Sequence, residues 1–391
     1  MRRGRTGTLQ LTRVAGETVL AFVPSPLPPR PPLELTGPLG NLLERAQLAL
    51  GRLDSITLIL PDPNLFLYSY VRREAVLSSQ IEGTQSSLSD LLLFELAGQP
   101  GALWDDAVEV SNHVAALEHG VARLQQGFPL SNRLLRDMHA ILLSRGRGSS
   151  RSPGAFRRSQ NWIGGTRPGN AHFVPPPPDR VEDCMADLER FIHDRNSGYP
   201  AVVKAALAHV QFETIHPFLE GNGRMGRLLI AFILHEKGVL SKPLLYLSLY
   251  LKRHRDEYYR LLDRVRFEGD WESWLAFFLE GVVETATNAV DTARRLVALF
   301  EEDAARIAAE GRRASSMLRV FGELRKRPLL TIAVAGELTG LTFPTVAKAM
   351  EALSSLGIVK EITGARRGRV YAYHRYLSIL NEGTEPLPPP R

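Results

Sequence analysis

The chain contains one cysteine, Cys184, in 391 residues, which excludes an intrachain disulfide and any metal site built from two or four thiolates. No apolar run approaches the roughly 20 residues that a bilayer-spanning helix needs. The longest, Leu228 to Leu234, is followed at once by His235 and Glu236. Met1 to Gly16 is basic and polar and lacks the apolar centre of a secretory leader. Clusters of β-branched residues are scarce beside runs rich in Leu, Ala, Arg and Glu, so a mainly α class is expected. These absences point to a reducing compartment, the cytoplasm, with no membrane partner. A net charge of +6 is modest for this length and admits acidic or nucleic-acid partners without demanding them. The length and the 44% hydrophobic content support two or three domains with a large core.

What the sequence does have is a dense run, His216-Pro217-Phe218-Leu219-Glu220-Gly221-Asn222-Gly223-Arg224-Met225-Gly226-Arg227. Gly221, Asn222 and Gly223 tolerate positive φ, so consecutive backbone N–H groups can converge on an anion where the stretch Leu228 to Leu234 sets up a helix. Arg224 and Arg227 lie three apart, on one face near that helix's start, where guanidiniums oppose the helix dipole unless an anion sits between them. A nucleotide phosphate chain suits the arrangement. His216, with an ordinary pKa of about 6.5, is suited to take the proton of a hydroxyl nucleophile. Glu220 is a hard oxygen ligand for Mg²⁺ bridging phosphate oxygens. Pro217 stiffens the loop, and Phe218 reads as its anchor in the core. Taken singly, each piece reads as a loop residue, a turn or a solvated face; their order carries the reading.

This run resembles the signature of the Fic family and meets it at every fixed position. The resemblance implies a Fic helical bundle with ATP as substrate and Mg²⁺ as cofactor, which transfers AMP to a Ser, Thr or Tyr hydroxyl of a target protein and releases diphosphate. By that resemblance His216 is the catalytic base and Glu220 the metal ligand, while Gly221, Asn222, Gly223, Arg224, Met225, Gly226 and Arg227 bind the nucleotide. Glycine at 223, where some members carry Lys, argues against direct phosphate transfer. A second pattern, Ser78-Ser79-Gln80-Ile81-Glu82-Gly83, resembles the family's inhibitory motif at the end of a helix over about 65–83. It implies that Glu82 pairs with Arg227, and it makes Ser78 and Glu82 part of a built-in brake. Asn161, Trp162, Ile163 and Gly164, set among Gly and Pro, read as a β-hairpin and resemble the Fic flap that holds a target segment by strand addition. Tyr258 and Tyr259 match positions that line the family's nucleotide pocket. Arg264-Val265-Arg266-Phe267 departs from the family, which commonly has an Asn in that region.

The remaining chain reads as scaffold and an accessory domain. Pro24 to Pro32 is expected to be an extended arm. Ser87 with Asp90 reads as a capping box for a helix over Leu88 to Ala97. His113, His119 and His139 lack metal-ligand spacing and read as surface or core histidines, and His209 and Glu213 as structural. The expected division is an N-terminal helical region at 1–105, a Fic core at 106–285, a helical linker at 286–312 and a winged helix-turn-helix at 313–391. In the last, a third helix over Phe343 to Leu356 and a wing carrying Arg366, Arg367 and Arg369 suit DNA or protein docking. The functional expectation is an autoinhibited protein adenylyltransferase. Its alternatives are removal of AMP at the same site, or an ATP-sensing, DNA-binding transcriptional regulator. The partners are a target protein with a Ser, Thr or Tyr hydroxyl, with a homodimer and DNA as further candidates.

Overall fold

The computed structural model describes residues 2–59, 63–97 and 105–386, so the expected outer limits at 1 and 391 lie outside the described residues. The described chain is mainly helical. In order it runs β1 (Gly7–Val14), β2 (Glu17–Pro24), α1 (Gly37–Ile59), α2 (Pro63–Ile81), α3 (Leu88–Ala97), α4 (Asp105–Gln125) and α5 (Asn132–Leu142). Then follow α6 (Pro178–His193), α7 (Ala201–Ile215), α8 (Asn222–Glu236), α9 (Ser248–Arg253), α10 (Arg255–Glu268) and α11 (Trp271–Ala308). The last stretch holds α12 (Ala314–Lys326), β3 (Leu329–Thr331), α13 (Ile332–Thr339), α14 (Phe343–Ser355), β4 (Lys360–Glu361), β5 (Val370–Ala372) and α15 (His374–Asn381). Two compact units emerge, one of Met1–Asp54 with Ser111–Ala286, the other of Ser55–Val110 with Thr287–Arg391.

The first unit is built around α7 and α8. From Val202 to Ile215 every residue of α7 is buried, the pattern of a helix wrapped on all sides. Its one lysine, Lys204, is satisfied by donating to the Asp194 carbonyl. Small residues set the helix spacing. A Cβ at Gly120 of α4 would lie 2.6 Å from the Phe232 ring of α8, and one at Gly226 only 2.3 Å from a Glu213 carboxylate oxygen of α7. Residues 7–24, within the stretch expected to be helical, form an antiparallel hairpin in which Leu11 faces Leu20 across the strands. The turn residues Ala15 and Gly16 both have positive φ. On the far side of β2, Phe22 donates its N–H to the Val174 carbonyl at 2.8 Å, and Val19, Ala21 and Val174 share a small core.

In the second unit α2 packs against α12 and α15. A buried hydrogen bond of 2.7 Å joins Ser69 to the Tyr376 hydroxyl, Arg73 donates to the Glu382 carbonyl, and the Gln80 amide donates to the carbonyls of Ser86 and Thr384. The Ser87 and Asp90 capping box is formed in both directions at the start of α3. Helices α12, α13 and α14 accompany a three-stranded antiparallel sheet of order β3-β5-β4. Thr331 caps α13 through its hydroxyl, and Gly340 ends that helix in the left-handed conformation. Tyr373 anchors the sheet to α11 by donating to Asp303 at 2.6 Å.

Candidate active site

The signature run occupies the connection between α7 and α8, and backbone geometry explains its composition. His216 caps the C-terminus of α7 at φ 49°, a left-handed conformation uncommon for a non-glycine residue. Gly221, at φ 79°, opens α8. The sequence allowed positive φ at Gly221, Asn222 and Gly223 alike; only Gly221 adopts it, because Asn222 and Gly223 already belong to the first turn of α8. No side chain caps that turn and no acidic residue lies in it. The N–H groups that a helix leaves without intrahelical partners there suit an anion. Arg224 and Arg227 follow within two turns, each less than a tenth exposed. Met225 and Gly226 are buried helix positions.

The loop between the two helices is held largely by its carbonyls. Arg157, itself buried, donates its Nε to the His216 carbonyl at 2.9 Å, its Nη2 to those of Ile215 and Pro176, and its backbone N–H to that of Pro217. Burial pulls this guanidinium down to about 10. Asn161 donates to the Phe218 carbonyl at 3.0 Å. Asn222 closes a two-way clamp, accepting from the Phe218 N–H at 2.9 Å and donating to its carbonyl at 2.8 Å. Both ends of the Asn222 amide are therefore engaged by the protein. His139 donates from Nε2 to the Glu220 carbonyl at 3.0 Å, at the end of the same loop. Phe218 is fully buried and lies flat on the His139 ring, with centroids 3.7 Å apart and planes 7° from parallel. His216 and Glu220 are half-buried.

The flap residues lie beside this loop. The expected hairpin is reduced to a single bridge in which Ile163 and Phe173 exchange backbone hydrogen bonds of 2.8 and 3.1 Å. Gly164 and Gly165 on one side and Pro175 to Pro178 on the other limit further pairing, since proline has no N–H to donate. Asn161 is half-buried against the signature carbonyls, Trp162 is 36% exposed, and Gly164 is exposed. Tyr258 is fully buried, its hydroxyl 2.9 Å from His209 Nε2, and Tyr259 is 39% exposed. His209 also contacts the Gly226 carbonyl at 2.9 Å, and burial holds its pKa down at about 4. His113 on α4 is fully buried and held well below its usual range by burial and then by Arg224 and Arg227. Ser78 is buried on α2, and Glu82 is half-buried in the turn after it, with its N–H bonded to the Ser79 carbonyl. Both belong to the second compact unit. Sequence reasoning passed over Arg157 and the clamp role of Asn222, and read His139 only as a surface or core histidine. No motif spacing marks them, because their work is done through carbonyls.

Among the described residues no cluster of three or more His, Cys, Asp or Glu could hold a metal ion by itself, and no helix is long and apolar enough to cross a membrane. The Fic/DOC family N-terminal model matches residues 41–122 and the Fic/DOC family model residues 129–234. The chain is similar to the protein adenylyltransferase Fic of Drosophila ananassae, with 29% identity over 208 residues, covering 52% of this chain and 39% of that protein. It is likewise similar to that of Drosophila grimshawi, with 30% identity over 183 residues, covering 46% and 34%. The chain thus spans well under half the length of the curated relatives it matches. Among solved structures, a Fic family protein from Desulfovibrio desulfuricans superposes with a TM-score of 0.57 at 21% identity, covering 88% of this chain and 98% of that one. Fic-1 from C. elegans does so at 0.52 and 21%, covering 66% and 73%. These two share the fold. With the run 216–227 inside the second matched region, on a mainly helical fold shared with those structures, the chain belongs to the Fic/DOC family.

Proposed function

We propose that this chain is a Mg²⁺-dependent protein adenylyltransferase that moves AMP from ATP to a side-chain hydroxyl of a target protein. The observation that carries the reading is the opening of α8, an uncapped helix start with a left-handed glycine and two buried guanidiniums within two turns. Such a start suits the phosphates of a nucleotide. His216, at the end of α7, takes the proton of the target hydroxyl as its oxygen bonds to the α-phosphorus. The bond from that phosphorus to diphosphate breaks, and Arg224 and Arg227 balance the charge that leaves. Glu220 fits the metal's needs as a single half-buried carboxylate, because Mg²⁺ is commonly held by one or two carboxylates with phosphate oxygens and water. The ion supplies charge neutralisation at the phosphates. The name shared by the Drosophila relatives, protein adenylyltransferase, supports the same reaction class.

Glu82 acts as the brake in this reading by pairing with Arg227, and the flap around Ile163 holds the target strand. Intact mass after incubation with ATP and Mg²⁺ tests both for the wild type, Glu82→Gly and Glu82→Gly/His216→Ala. One added AMP in the single variant, absent from the double, supports the reaction, the base and the brake together. No addition in any of them, to itself or to a host lysate, would count against transfer. The 314–373 segment is read as a winged helix, favoured by the 63% exposure of Phe343 at the start of α14 and by the exposed Arg366, Arg367 and Arg369 between β4 and β5. DNA binding whose affinity falls steeply with salt would make it a nucleic-acid module, and salt-independent retention of a protein would make it a docking one.

A further inference from the structure

We propose that His139 is a positioning residue that fixes the Glu220 end of the signature loop through its Nε2, while its Nδ1 ties that loop to Gly154. The inference rests on the reading of Glu220 as the metal ligand. The Gly154 N–H lies 2.9 Å from Nδ1 and can only donate, so Nδ1 accepts and the ring proton sits on Nε2. Nε2 then donates to the Glu220 carbonyl at 3.0 Å. One imidazole thus touches both ends of Phe218-Leu219-Glu220, stacking on the first ring and bonding the last carbonyl. Carbonyls 215 to 218 are held by Arg157, Asn161 and Asn222, and His139 adds the one at 220. The segment that binds Nδ1 also steers the Glu220 side chain, because Gly148 leaves room for its Cγ. Arg136, one turn before His139, donates to the Gly154 carbonyl and holds the far side of the same segment. Backbone and stem of Glu220 are therefore set from one side of the loop, and a metal-binding carboxylate works only when its carrier is fixed.

The two ring nitrogens can be removed separately. In the Glu82→Gly parent, His139→Asn places an amide oxygen near the position of Nδ1 and keeps the Gly154 bond. His139→Gln places an amide nitrogen near Nε2 and keeps the Glu220 bond, and His139→Leu keeps neither. The expected result is that Gln stays close to the parent, whereas Asn and Leu lose about 10–100-fold in kcat with little change in the KM for ATP and need more Mg²⁺. Equal losses in Asn and Gln, or none in either, would overturn the proposal. A readout free of turnover is ¹⁵N-imidazole NMR of the unliganded protein, where His139 should be the neutral Nε2–H tautomer; the Nδ1–H tautomer would refute it. Should the parent transfer no AMP, the transferase reading fails by itself, and calorimetry of ATP binding with and without Mg²⁺ then decides the His139 proposal. A Mg²⁺ gain kept in Gln and lost in Asn supports it, and the same gain in both overturns it.

Discussion

Gly148 adopts φ 87°, and a Cβ built there would stand 2.8 Å from the Glu220 Cγ. Alanine at this position adds strain of roughly 1 kcal/mol and pushes on the carboxylate stem. Gly148→Ala is expected to lower AMP transfer about tenfold, with a melting temperature reduced by only a few degrees, as read by paired activity and thermal denaturation. His209 gives the pH dependence a sign. Its folded pKa of about 4 lies below the usual 6.5, so the unfolded chain takes up its proton first as pH falls. The stability this neutral ring contributes is complete above about pH 6.5 and is lost progressively down to about pH 4, by on the order of 3 kcal/mol. Urea midpoints across that range should drop for the wild type and flatten for His209→Gln; parallel curves would show that other groups set the acid limit. At this scale the sequence disclosed the signature side chains, whose types announce phosphate chemistry. It hid Arg157 and His139, whose partners are carbonyls that any residue could supply.

The elements differ in how well they could be read. Helix α8 follows from an apolar run behind a glycine, and the Ser87 capping box formed as its spacing demands. The β1–β2 hairpin was missed because its turn is Ala15-Gly16. Two positive φ values make it the kind of turn that Asn-Gly usually signals, and alanine conceals it. The flap was read as a hairpin from its Gly and Pro punctuation, but the same prolines that bound it leave a single bridge. The seat of α2 was also unreadable, since it depends on residues some 300 positions away in sequence. Tyr376→Phe removes the buried bond to Ser69 and should cost about 1 kcal/mol. Amide exchange should speed up in α2 and α15 before the rest of the second unit, and uniform acceleration would argue against a local seat.

At the scale of the molecule, residues near the N-terminus are fastened to the end of α10 and the start of α11. Gly4 donates to the Glu268 carbonyl, Thr6 to that of Arg266, and Arg3 forms a two-pronged pair with Glu272 at 2.6 and 2.7 Å. Burial alone would raise the Glu272 pKa, but its bonds to Arg3 outweigh that and hold it at about 2. A carboxylate lowered in this way stabilises the fold above its ordinary value of 4.5 and stops doing so as pH falls toward 2. Arg3→Ala should therefore melt earlier than the wild type near neutral pH, and the gap should close as the pH approaches about 2. Circular dichroism melts at several pH values would read both.

The same fastening has a consequence for synthesis. Residues 7–24 leave the ribosome long before Val174, which accepts the Phe22 N–H, and before Glu272, which holds Arg3. A lone two-stranded hairpin is marginal in water, and this one carries Leu11 at 69% and Leu20 at 53% exposure even in the finished fold. At translation rates of 5–20 residues per second the open edge of β2 waits roughly eight to thirty seconds for Val174. Through that interval the edge of β2 away from β1 lacks Val174, so the pace at which residues 25–174 are translated governs how long the nascent chain offers that edge to other chains.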